Sequence, residues 1–303
     1  MKKKATLLSI LLLCLASSCA FGGQGASSSS LSSSETALSS SVYSSESSSE
    51  SSSSSDASSS SLTPSSYWAG LDLSKIGNAF RGELQTLIKK YKTKTATYSA
   101  CLSIGAAASS YPKGSSTFVP FYHAAPGTEG VSGNGACTAT IDQCNREHAW
   151  PDSRGSGKKD GPGNDPFLVR PTLKNENSSR SNKFYGTSSN EWDPASCGYE
   201  GARGEAARVI LYAATAYYGT CGSGGNSKGS EPLELSNNPL DETILHTMGT
   251  LKTLLEWNAK YEPSGMEIQI NDYLYEKGYG RNPFVDEPSY AGYIWDEDGV
   301  RTA

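Results

Sequence analysis

Apolar residues recur at helical spacing over residues 71–92, where Leu73, Ile76, Phe80, Leu84, Leu87, Ile88 and Tyr91 predict one amphipathic helix. The same spacing predicts a helix over residues 200–218, with Ala206, Val209, Ile210, Ala213 and Tyr217 on one face. Another is predicted over residues 242–261, through Ile244, Met248, Leu251, Leu255 and Asn258. A further helix should follow Ser264, a suitable cap, and run to about Lys277. After Pro171 the stretch T-L-K-N-E-N-S-S-R-S-N has the cap-rich start of a helix. Strand-prone runs are few and short, at residues 116–122, 138–141 and 167–169. The rest of residues 95–144 is rich in Ser, Gly and Ala. Near the C-terminus, R-N-P-F-V-D-E-P suits an ordered Asn/Pro turn with Phe284 buried. The pattern predicts an α+β fold, mostly helical with a little sheet.

The N-terminus follows a different logic. Met1 and three lysines precede an apolar run closing in small residues, a pattern that fits an export signal and is too short to span a membrane. L-A-S-S-C, ending at Cys19, resembles a bacterial lipoprotein box, which implies a lipid anchor at that cysteine. Residues 20–66 are mostly serine, too polar to offset the entropy of ordering, and predict a disordered tether. Residues 67–303 then suit one large domain. Its five cysteines, Cys101, Cys137, Cys144, Cys197 and Cys221, predict up to two disulfides and one free thiol in an exported chain. No C-x-x-C spacing occurs, which argues against a structural zinc site.

Net charge is −5, but it is unevenly spread. Between residues 141 and 190, eight cations (Arg146, Arg154, Lys158, Lys159, Arg170, Lys174, Arg180 and Lys183) face six acids. A locally basic site on an acidic protein follows. Within that stretch lies N-R-E-H-A-W-P, residues 145–151, holding one of only three histidines. No H-E-x-x-H, G-x-S-x-G or P-loop occurs. Neighbouring strand residues point to opposite faces, so Glu147 and His148 are expected to do different jobs. A carboxylate from Glu147 with an amide oxygen from Asn177 suits Mg²⁺, which prefers oxygen ligands. An imidazole at His148 suits taking a proton from water at neutral pH. Helical spacing places Arg180 on the face of Asn177, within reach of a phosphate. Together these residues describe a phosphodiesterase.

C-N-R-E-H-A-W-P resembles the N-R-E-H-V-W-P signature of the bacterial endonuclease I family of extracellular nucleases. D-P-F-L-V-R-P-T, N-E-N-S-S-R-S-N-K-F-Y-G, R-G-E-A-A-R-V-I-L-Y, L-L-E-W-N and R-N-P-F-V-D-E-P resemble later family segments, in order from Cys144 to Trp295. The resemblance implies a ββα-metal, or His-Me finger, core. It implies His148 as general base, Glu147 and Asn177 as ligands of Mg²⁺ (with Mn²⁺ or Ca²⁺ as substitutes), and an arginine in the loop after the histidine on the phosphate. Arg154 is the candidate for that arginine, with Lys158 or Lys159 as substitutes. Lys158, Lys159 and Arg146 are candidate contacts to DNA or RNA, and cleavage should show little sequence preference. Phe167-Leu168 departs from the family, where His-Asn or His-His is frequent. His123 reads as packed or surface, His246 as surface, and Asp165 as either a loop holder or a site residue. The rival reading is a surface lipoprotein that captures nucleic acid or adheres without catalysis, and divalent-dependent hydrolysis separates the two.

Overall fold

The computed structural model describes residues 64–220, 222, 223, 232–238 and 246–302. All of them belong to a unit spanning Ser59–Ala303. Cys19, most of the predicted tether and Cys221 lie outside the described residues.

A short helix α1 (Pro64–Tyr67) precedes Trp68, whose indole donates to Asp286 across 2.9 Å. The first amphipathic helix, α2 (Gly77–Tyr91), begins later than its apolar spacing predicts, and Leu73 is 53% exposed. Asp72 explains the delay, because its carboxylate accepts from the Ser74 amide at 3.0 Å and turns the chain locally. Helix α3 (Tyr98–Ala108) falls in the Ser/Ala/Gly stretch where periodicity predicts none. Thr97 caps it, accepting from the Ala100 amide at 3.2 Å.

The predicted run at 116–122 forms only isolated bridges, from Phe118 to Ser110 and Ala139, and 138–141 leads into a single turn at Ile141–Gln143. The regular strand is β1 (Cys144–His148) itself. It pairs antiparallel with β2 (Val169–Leu173), shifted beyond the predicted 167–169, with His148 opposite Val169 and Glu147 opposite Arg170. Pro171 is tolerated because a two-stranded sheet consists of edges. Helix α4 (Lys174–Arg180) follows β2 without a loop.

Helix α5 (Ala202–Ala216) is buried on nearly every side, and its alanines let α2 and the later helices pack closely. Arg208 on α5 forks onto Glu267 at 2.7 and 2.8 Å. The helix predicted over 242–261 is replaced in its first part. Residues 242–245 lie outside the described residues, and β4 (Thr247–Gly249) pairs parallel with β3 (Glu234–Ser236) before α6 (Leu251–Lys260) begins. Helix α7 (Gly265–Glu276) starts at Ser264 with a full capping box, as predicted. The R-N-P-F segment forms α8 (Pro283–Asp286) with Phe284 buried, and α9 (Ala291–Ile294) leads into a hairpin of β5 (Trp295–Asp296) and β6 (Gly299–Val300). No described helix is long and apolar enough to cross a membrane.

Candidate active site

Strand alternation separates Glu147 from His148. Glu147 is 2% exposed, and its Oε1 accepts from Arg180 Nη1 at 2.9 Å and from the Tyr122 hydroxyl at 3.0 Å. Tyr185 in turn donates to Tyr122 at 2.7 Å. Burial drives the Glu147 carboxyl up to about 7 against the opposing pull of Arg180 and Tyr122. Both protein donors go to Oε1, which leaves Oε2 for another partner.

Asn177 sits on α4 three residues before Arg180, which holds this carboxylate. Its Nδ2 donates to the Arg146 carbonyl at 3.1 Å, which fixes the amide and leaves Oδ1 as an acceptor. A carboxylate oxygen and an amide oxygen form a hard donor set, so the residues present fit Mg²⁺.

The His148 ring stacks on Tyr98 with centroids 5.1 Å apart and planes 19° apart. The Gly157 carbonyl meets the ring, and Nε2 is buried with no hydrogen-bond partner among the described residues. A ring held through one nitrogen by a carbonyl presents the lone pair of the other. Burial lowers the ring to about 4, with Asp152 pulling it up and Lys158 pushing it further down. It is therefore neutral at pH 7 and able to accept a proton.

Arg146, Tyr98 and Lys158 surround the histidine. The Arg146 guanidinium lies 4.4 Å from the Tyr98 ring centre and the Lys158 ammonium 5.9 Å from it. Lys158 also pairs with Asp152 at 3.2 Å. Its loop is tied down, since the Lys158 and Lys159 amides donate to the Ser223 carbonyl at 2.8 and 2.9 Å. Asp160 accepts from the Ser223 amide and hydroxyl at 2.8 and 2.7 Å. The Lys159 side chain is exposed. Arg154 donates to the Asn182 carbonyl at 3.0 Å and covers the Phe184 ring at 4.2 Å.

Arg180 departs from its expected role. It is 1% exposed, and its two terminal nitrogens donate to Glu147 and to the carbonyls of His148 and Ala149. The helical spacing that places it near Asn177 holds, but the side chain turns inward and braces the strand end. His246, expected at the surface, is buried because it immediately precedes β4 rather than lying on a helix, and its ring abuts Gly155. His123 is buried and bonded to Glu176. Asp165 holds its loop, taking Lys92, Tyr212 and Tyr217 at 2.8, 3.0 and 2.7 Å. Phe167 packs on Tyr212, so apolar contact replaces any polar support at that position. The predicted disulfides do not form among the described cysteines. Cys101, Cys137, Cys144 and Cys197 are free thiols, with Cys101 and Cys144 in separate apolar clusters.

Sequence reasoning misses Tyr98 and Tyr122. Tyr98 sits on the unpredicted helix, and Tyr122 adopts a positive φ of 78° in a run that reads as strand.

A family profile described as endonuclease I matches residues 76–289. The extracellular ribonuclease of Bacillus amyloliquefaciens is 31% identical over 167 residues, covering 52% of this chain and 55% of that protein. The extracellular ribonuclease of Bacillus subtilis (strain 168) is 31% identical over 166 residues, covering 51% and 55%. The chain thus spans about half the length of these curated relatives. No solved structure matches it.

Proposed function

The chain belongs to the endonuclease I family, and from that premise we propose that it is an extracellular endonuclease hydrolysing phosphodiester bonds in DNA and RNA. The observation that carries the reading is the buried, unpartnered Nε2 of His148, a neutral base one residue along β1 from the Glu147 carboxylate. The succession of β1, loop, β2 and α4 supports a His-Me finger core.

In the proposed mechanism His148 takes the proton of an attacking water onto Nε2 while its carbonyl-held face keeps the ring aimed. Glu147 Oε2 and Asn177 Oδ1 would hold Mg²⁺, whose chemistry is to offset charge on the phosphate oxygens. Arg180 acts as a positioning residue, fixing the Glu147 carboxylate and the backbone on either side of His148's peptide bond. Arg154, Arg146 and Lys158 are the cations left to meet phosphate, with Lys159 further out. Such contacts position a strand without reading bases, so cleavage has little sequence preference. The ribonuclease names of the two Bacillus relatives support RNA as a substrate alongside DNA. The basic start, apolar run and Cys19 support export with a lipid anchor.

Nicking of supercoiled plasmid and degradation of RNA by the full chain, with Mg²⁺ and with EDTA, test the proposal. Cleavage should require the divalent ion and fall by at least about 10³-fold in His148→Ala, as expected for losing a general base. A folded wild-type chain that cleaves neither polymer with Mg²⁺, Mn²⁺ or Ca²⁺ would sink it.

A further inference from the structure

A cavity of about 640 Å³ opens beside α4 next to the candidate active site, lined in part by His123, Cys137, Glu176 and Cys197. Neither Glu147 nor His148 lines it. Successive helical residues point about 100° apart, so Glu176 faces this cavity while Asn177 faces β1. The four side chains come from positions scattered over more than seventy residues, which is why a spacing rule built on C-x-x-C cannot find them.

We propose that this cluster is a second metal site, binding one Zn²⁺ ion through His123 Nε2, a Glu176 oxygen and Cys197 Sγ, with the Cys137 thiol as fourth ligand. Ligand atoms of His123, Glu176 and Cys197 all lie within 4.8 Å of one another. Tetrahedral zinc with bonds of about 2.0–2.3 Å sets its ligands roughly 3.3–3.8 Å apart, so the His123–Glu176 pair would open slightly from 2.8 Å and small side-chain shifts would seat the set.

Three details point to a cation here rather than to ordinary packing. His123 Nδ1 donates to the Asn134 carbonyl at 3.1 Å, the outer-shell contact that orients metal-binding imidazoles and turns Nε2 toward the ion. Nε2 lies 2.8 Å from Glu176 Oε1, so the second ring nitrogen also faces an oxygen, across the position a cation would take. Glu176 Oε2 is buried with no hydrogen-bond partner among the described residues. A cysteine binds zinc as thiolate, so metal binding at Cys197 would release a proton.

The mixed nitrogen, oxygen and sulfur set selects a borderline-soft ion and disfavours Mg²⁺. Cys137 lines the same cavity, and with its thiol drawn in as fourth ligand no position stays open, so the site is structural. It would staple the loop holding His123 and Cys137 and the turn at Pro194–Cys197 to α4.

The test uses the full chain, purified under reducing conditions without chelator. Elemental analysis should find one zinc per chain. Replacement by Co²⁺ should give tetrahedral visible bands with near-ultraviolet thiolate charge transfer. Cys197→Ser should weaken zinc binding by at least about 100-fold and reduce the charge-transfer band, whereas Glu147→Gln and Asn177→Ala should leave both unchanged. Because these readouts ignore cleavage, they stand or fall separately from the nuclease proposal. A wild-type chain that keeps no zinc and shows no cobalt–thiolate band overturns the proposal. So does a Cys137–Cys197 disulfide in zinc-replete protein, or a cobalt spectrum that survives Cys197→Ser intact. If Cys197→Ser does not fold, the wild-type cobalt spectrum alone decides.

Discussion

Arg180→Ala would leave Glu147 buried with no charge partner and two carbonyls without their donor. Breaking a buried pair in this way costs about 3–5 kcal/mol, read as a lower urea midpoint. Arg154→Ala removes a half-exposed side chain and should cost about 1 kcal/mol or less, yet lower turnover on plasmid DNA. Comparing the two variants by denaturation and by rate separates the brace from the proposed phosphate contact, and equal stability losses would reject the division. His148 offers a second test. Its ring is lowered to about 4, below the ordinary histidine value, so it binds fewer protons folded than unfolded. Its contribution to stability is therefore full above about pH 6.5 and is lost as pH falls toward the folded value. NMR titration of the ring should place its midpoint well below 6, and a midpoint at or above 6.5 would contradict the burial that keeps the base neutral. The residue types at 147, 148 and 177 were legible in the sequence because their chemistry is distinctive. The direction of Arg180 was not, because a guanidinium drawn to a buried carboxylate looks the same, by spacing, as one offered to a phosphate.

At the scale of elements, the site depends on how closely α3 approaches the sheet. A Cβ added at Gly105 would stand 2.5 Å from Pro171 Cδ, so only glycine allows this contact. Gly105→Val should lift α3 from β2, carry Tyr98 away from His148, and cost roughly 2–3 kcal/mol. Thermal unfolding and the cleavage rate should fall together, and an unchanged melting temperature would mean that the contact is slack. This helix escapes prediction because Ala, Ser and Gly dominate it and give no clear apolar stripe, its close packing being against Pro171, far along the chain. Helices α5 and α7 were legible for the opposite reason, one through the helical spacing of Ala206, Val209, Ile210, Ala213 and Tyr217 and the other through its Ser264 cap. The segment at 247–249 was misread because Met248 fits helical spacing as well as it fits a buried strand.

At the scale of the whole molecule, the chain carries a net charge of −5, while Arg146, Arg154 and Lys158 are the cations proposed to meet phosphate. Long-range charge should therefore repel nucleic acid weakly while short-range contacts hold it. Cleavage under substrate-limited conditions should fall steeply with added salt, and Lys158→Ala should flatten the logarithmic slope by about one. An unchanged slope would remove Lys158 from the phosphate contacts. The fastening of the Lys158 loop to Ser223 has a different consequence. A dibasic pair in a glycine-rich loop is what trypsin-like enzymes cut, but cutting requires the backbone to detach and lie extended in a protease cleft. Here the amides of both lysines are already engaged, and Asp160 clasps the same serine from the other side. The loop thus trades away the suppleness its composition suggests for endurance among digestive enzymes, a quality that suits a protein proposed to work outside the cell.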